Sequence, residues 1–166
     1  MMAVTHVITS LLVASAPIVI GYNFNYDTGL IYLASTALGA LIIDIDEPKS
    51  FAGRRLYFFS FLINMSLGHR TITHNYFIAI IGLILSWFYW QNIYAVGFFL
   101  GMTVHIMGDE MTGNVKGAYW PISERFSLFP KGWRFRVGGF VERVIATCST
   151  ILLIAIHGYG VMRGIL

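Results

Sequence analysis

The chain has 166 residues, enough for one domain of ordinary size. AVILMFWYC residues make up 57% of it and charged residues 11%, against roughly 25% charged in an average soluble domain. Eleven Lys/Arg and eight Asp/Glu, net +3, cannot cover a soluble globule and give too weak a bias for nucleic-acid binding. A mean hydropathy of +0.70 and 16% aromatics point to a polytopic membrane protein. The same composition excludes disorder and a coiled coil, and a disulfide-rich scaffold is excluded because Cys148 stands alone.

A helix crosses a bilayer with about 20 apolar residues, within a range of roughly 17–25. Segments 4–21, 28–43, 75–90, 93–108 and 141–161 predict five spans. Segment 56–67 is too short to cross and reads as an interfacial or re-entrant helix. No repeat, low-complexity run or linker divides the chain, so 1–166 is expected to be a single all-α integral membrane bundle. Ala14-Ser15-Ala16 resembles a cleavage site, but no Lys or Arg precedes the first apolar run and His6 sits inside it. That segment is therefore expected to be a retained span.

Basic residues set the expected orientation. Lys49, Arg54, Arg55 and Arg70 lie between the second and third spans. Lys116, Arg125, Lys131, Arg134, Arg136 and Arg143 lie between the fourth and fifth or open the fifth. The intervening loops at 22–27 and 91–92 carry none, and only Arg163 falls on their side. The positive-inside rule then makes the N-terminus and both long loops cytoplasmic in an inner-membrane protein. Tyr22, Phe24, Tyr26, Trp87, Tyr89, Trp90 and Tyr94 would form an outer aromatic belt.

Histidines and carboxylates in apolar segments are costly and need a reason. In this topology His6, Asp44, Asp46, Glu47, His69, His74, His105 and Asp109 all fall at cytoplasmic span ends. His105 and Asp109, four apart, share a helix face, where they could bind a cation such as zinc or simply hydrogen-bond to one another. Asp44 and Asp46 flank Ile45 before Glu47-Pro48. Extended geometry ahead of the proline would point both carboxylates one way, towards a cation or towards solvent. Arg70 offers a planar fork for phosphate or carboxylate. Thr73 is placed to cap the next helix, or to support the site from behind. Glu142 is either an orienting partner of the site or an ion-pair partner of the arginines around it. His157 lies at the far end of the last span and is left out of the site.

Three motifs occur in order: Asp44-Ile45-Asp46-Glu47-Pro48-Lys49-Ser50, Gly68-His69-Arg70-Thr71-Ile72-Thr73-His74, and His105-Ile106-Met107-Gly108-Asp109-Glu110-Met111-Thr112. With His6 ahead of them, the chain resembles the YdjM-like family of inner-membrane proteins, regarded as metal-dependent hydrolases and described as LexA-binding. That family is in turn similar to the zinc-dependent phospholipase C and single-strand nuclease superfamily. The resemblance runs from His6 to about Glu142. It implies a helical fold with His6, Asp46, His74, His105 and Asp109 as metal ligands, and Asp44 and His69 next. The superfamily's three-metal set uses more histidines than this chain offers, so one or two divalent ions, zinc foremost, are implied. Thr112 is followed by Gly113, where the family often has Thr-Pro-x-Gly.

The expected function is metal-assisted hydrolysis of a phosphoester in a lipid or other amphiphile. Asp44 would take a proton from water, Arg70 would face the developing charge, and Arg134 and Arg136 would bind the anionic group. Membrane lipid is the expected partner, and nucleic acid is not. A non-catalytic adaptor with a structural metal and a small cation or proton transporter are the alternatives. The transporter fits less well, since the polar residues gather at one face and no broken helix lies in mid-span.

Overall fold

The computed structural model describes residues 1–22, 25–67, 73–113, 115, 117–122 and 130–164. Among these residues the chain is helical throughout, with no strand. Helix α1 (Ala3–Ala14) ends at Ser15, whose hydroxyl donates to the Leu11 carbonyl, and α2 (Ala16–Val19) restarts with Pro17 in its first turn. Asn25 caps α3 (Tyr26–Ile42) by accepting from the Asp27 amide. A 3-10 turn, Ile43–Asp46, continues α3. Ser50 caps the short α4 (Phe51–Arg55), and α5 (Tyr57–Leu67) follows. Asn75 caps α6 (Tyr76–Ile84), which runs into a π-helical turn at Leu85–Tyr89. Asn92 caps α7 (Ile93–Glu110), and α8 (Phe140–Met162) closes the fold. At three of these starts an Asn carbonyl satisfies orphan amides of the first turn, as an N-cap should.

By length and composition, two helical stretches can cross a membrane: Tyr26–Asp46 and Phe140–Met162. They correspond to the second and last of the five expected spans. The first span is interrupted at Ser15, and the third is the shorter apolar run Tyr76–Tyr89. The fourth carries His105, Asp109 and Glu110 in its last two turns, which dilutes its apolar character. The short 56–67 segment forms its own helix, α5, as expected.

Large apolar side chains lie outside along whole helices. Tyr57, Phe58, Phe59, Phe61, Leu62 and Met65 are exposed on α5, and Val141, Val144, Ile151, Leu152, Ile154, Val161 and Met162 on α8. Soluble monomers rarely expose continuous apolar patches of this extent, whereas lipid is a solvent that suits them.

The centre of the fold is the α3–α7 pair. A Cβ at Gly101 would overlap the Thr36 carbonyl oxygen, and one at Gly39 would overlap that of Phe98. A Cβ at Gly97 would lie 2.7 Å from the Tyr32 carbonyl oxygen. Glycine at these positions lets the two backbones touch, the small-residue packing that membrane helices use where no hydrophobic drive joins them. Ile43, Tyr76, Ala79, Met102, Ile106, Val115 and Ala118 extend the core from this pair to α6 and the loop after α7.

Candidate metal centre

The close-packed stripe on α7 runs straight into the polar residues. Gly97 and Gly101 are followed at the same four-residue spacing by His105 and Asp109, so all four share one face. Close approach at Gly101 brings the Ala40 carbonyl to His105, whose Nδ1 donates to it at 2.6 Å. A carbonyl only accepts, so Nδ1 carries the hydrogen and Nε2 offers its lone pair to the site.

Asp44 enters from the turn after α3. Its Oδ1 lies 3.4 Å from His105 Nε2 and 3.5 Å from His74 Nε2. Asp109 Oδ2 lies 3.6 Å from His74 Nε2 and 3.9 Å from His105 Nε2. Donor atoms of Asp44, His74, His105 and Asp109 all lie within 4.8 Å of one another. Four donors about 2.1 Å from a central ion would form a tetrahedron with edges of roughly 3.4 Å. The observed spacings sit close above that, and two imidazoles with two carboxylates suit zinc or a harder divalent ion. The residues therefore fit a cation.

Each buried donor is braced through its other atom. His74 Nδ1 lies 3.0 Å from Thr73 Oγ1, and that hydroxyl donates to Asp46 Oδ2 at 2.7 Å. The hydroxyl therefore accepts from His74 Nδ1, which leaves Nε2 facing the cluster. His74 itself is placed by Asn75, whose amide nitrogen donates to the Gly117 and Trp120 carbonyls. On Asp109, Oδ1 accepts from His6 Nε2 at 3.1 Å and lies 2.6 Å from the Met1 nitrogen. The His6 ring stacks on His105, with centroids 3.6 Å apart and planes 7° apart. Gly108 leaves room for it, since a Cβ there would come within 3.1 Å of His6 Nδ1.

His74 sits outside the membrane-crossing helices. Burial pushes its imidazolium down, but hydrogen bonds to Asp44 and Asp46 and the charges of Asp46 and Asp109 outweigh this and hold it up to about 9. The surrounding carboxylates thus favour the protonated form of His74.

The structure thus gathers His6, Asp44, Asp46, His74, His105 and Asp109 at one end of the helices, and sorts them. Asp44 stands among the converging donors, whereas Asp46 stands behind His74 and His6 behind Asp109. The extended geometry expected over Asp44–Asp46 is corrected to a 3-10 turn, so the two carboxylates diverge. The proline restricts only its immediate neighbour, and Glu47 alone is extended, at φ −110° and ψ 105°. Thr73 bridges Asp46 and His74, and Asn75 provides the cap of α6. Glu142 accepts from the backbone amides of Met2 and Gly138, both at 2.6 Å. It ties the start of α1 to the loop before α8. Arg134 and Arg136 flank Phe135, whose amide donates to the Met111 carbonyl at 3.1 Å, two residues beyond Asp109. His69 and Arg70 lie outside the described residues. His157 meets Ser15 Oγ at 3.0 Å, beside an apolar cavity of about 620 Å³ at the other end of α1 and α8.

Two contributors escaped the sequence reading. Glu110 is fully buried and accepts from the Tyr76 and Tyr119 hydroxyls at 3.2 and 3.0 Å, beside the ligand face. Its acidic side chain late in an apolar helix was the available signal. The Ala40 carbonyl left no signal in its side chain; only the glycine spacing on α7 pointed to a close backbone there.

A helical, lipid-exposed chain that buries a two-histidine, two-carboxylate cluster beside its tightest helix pair is a membrane protein with a candidate metal centre. The chain belongs to the YdjM inner membrane protein family, which matches residues 1–164. It is 32% identical over 133 residues to the uncharacterized protein YvsG of Bacillus subtilis (strain 168), covering 78% of this chain and 79% of YvsG. It is 35% identical over 102 residues to the inner membrane protein YdjM of Escherichia coli (strain K12), covering 57% of this chain and 51% of that protein. The YdjM of Shigella flexneri matches to the same extent, so the match spans about half the length of these two relatives. No solved structure matches the chain significantly.

Proposed function

We propose that this protein is a metal-dependent hydrolase of the inner membrane, acting on a phosphoester in a lipid or other amphiphile. The observation that carries the reading is the convergence of four ligand atoms, three of them from fully buried side chains with fixed orientations. Buried ionisable groups gathered in this way are costly for packing alone. When bound, a divalent ion would supply an acidified water and a positive charge for a developing oxyanion. His74, His105, Asp109 and Asp44 would hold it, and Asp46 with Thr73 would keep His74 in the right tautomer. Arg134 and Arg136, next to the end of α7, would draw an anionic headgroup to the site. The basic loops support a cytoplasmic position for this end of the bundle, with the shorter apolar helices completing a five-span arrangement.

One observation favours a second reading, a structural metal in a membrane adaptor. Four protein donors at tetrahedral spacing can fill every position, and closed sites are typically structural. Metal analysis of the detergent-purified protein, followed by a phosphoesterase assay on a panel of lipids with and without chelator, tests the proposal. Chelator-sensitive turnover that is lost in His105→Ala supports the hydrolase. Bound metal without turnover on any lipid supports the adaptor.

A further inference from the structure

Resting on the reading that this cluster holds a divalent cation, we propose that Asp44 is its exchangeable ligand. The Asp44 carboxylate leaves the cation to admit a water or phosphoryl oxygen, while His74, His105 and Asp109 stay in place. No bond other than the ligand contact is made or broken in this exchange.

The four donors are not equivalent. His74, His105 and Asp109 are buried to within 1% of full burial. Each is held from behind, by Thr73, by the Ala40 carbonyl and by His6. Asp44 has no such brace: its Oδ1 approaches only the two histidine Nε2 atoms among the described residues. Its side chain is also 22% exposed, which makes it the only one of the four donors that solvent reaches.

The backbone beneath Asp44 is fixed. Its carbonyl accepts from Ser50 Oγ at 2.7 Å and from the Glu47 amide at 3.1 Å. Rotation about the side-chain bonds alone can then carry the carboxylate out, with no movement of α3. A four-donor tetrahedron closes a site, and chemistry on an outside molecule needs an open position. Opening costs least at the donor with the fewest other contacts.

The test uses the full chain in detergent, stripped with chelator and titrated with Co²⁺, whose visible absorption reports ligand identity in its band positions and coordination number in its intensity. Wild type should bind the ion with strong four-coordinate absorption. Added inorganic phosphate should move its band positions while the four-coordinate intensity is kept, because one oxygen ligand replaces another. A loss of intensity, meaning that phosphate adds as a further ligand with Asp44 still bound, would overturn the proposal. Asp44→Asn and Asp44→Ala should keep the ion, with affinity reduced by no more than about tenfold, whereas His105→Ala should lose about a hundredfold or more. The Asp44→Ala spectrum should keep four-coordinate intensity with water in the Asp44 position, and its bands should move at lower phosphate concentration than those of wild type. Circular dichroism checks folding, and the isosteric Asn variant keeps the test valid if Ala disturbs the turn. Loss of Co²⁺ from both Asp44 variants to the extent seen in His105→Ala would overturn the proposal, as would spectra indifferent to phosphate. Wild type that binds no Co²⁺ would instead remove the metal reading itself, and this inference with it.

Discussion

Replacing Gly101 with Ala adds one methyl group at the contact that shapes the whole site. The new Cβ would overlap the Thr36 carbonyl oxygen and lie 2.9 Å from the Ala40 nitrogen. Both are backbone atoms of α3, so no side chain can turn away, and the helices must separate. Overpacking of this kind costs about 1–3 kcal/mol. At about 2–4 °C per kcal/mol for a chain of this size, the melting temperature should fall by roughly 2–12 °C. Gly158 on α8 is the matched control, because a Cβ there meets nothing within 4 Å. Alanine at Gly158 should leave the melting temperature unchanged or raise it, since Ala is favoured over Gly in a helix by about 1 kcal/mol. Separation of α3 from α7 also pulls the Ala40 carbonyl away from His105 Nδ1, so Gly101→Ala should bind metal more weakly while Gly158→Ala binds it normally. Thermal melts of both variants in one detergent, each with and without added zinc, measure the two effects. Gly101→Ala melting at or above Gly158→Ala would refute the close-contact account of this helix pair.

Thr73→Val keeps the shape of the side chain but removes the hydroxyl between Asp46 and His74. Zinc affinity, read by competition with a chelator, should drop about 10–100-fold with the fold intact. The raised His74 sets the sign of the pH dependence. In the metal-free protein its proton contributes stability that is full below about 6.5 and lost as pH rises through about 9. A cation must displace that proton, so metal affinity should rise between pH 7 and 9, with proton release seen as a buffer-dependent heat in calorimetry. A flat affinity over this range would mean that His74 is not a ligand. Topology can be checked with reporters: one fused after Gly117 should read as cytoplasmic and one inserted at Asn25 as external.

The parts of the fold most legible in the sequence were those carried by local chemistry. The apolar run of α8 needs only its own composition to declare a span. The spacing of His105 and Asp109 fixed a shared helix face without any knowledge of neighbours. Tertiary contacts were less legible. Nothing in Asp44-Ile45-Asp46 distinguishes the carboxylate that joins the cluster from the one behind His74, because a one-residue difference in turn geometry decides it. The role of Glu142 was also hidden, since its partners are backbone amides whose identity leaves no mark on the sequence. Gly97 and Gly101 could have been read further: their spacing continues through His105 to Asp109, and so forecasts a close helix contact leading into the site.

X-ray absorption at the zinc edge of the zinc-loaded protein reports the atoms around the ion without requiring a substrate, and so decides whether these histidines and carboxylates hold a metal. A centre of His74, His105, Asp109 and Asp44 should give nitrogen and oxygen donors at about 2.0–2.1 Å with the outer-shell signature of about two imidazoles, both weakened in His105→Ala. Sulfur at about 2.3 Å, which Cys148 as the single cysteine could supply, would contradict it. So would a protein that retains no zinc at all.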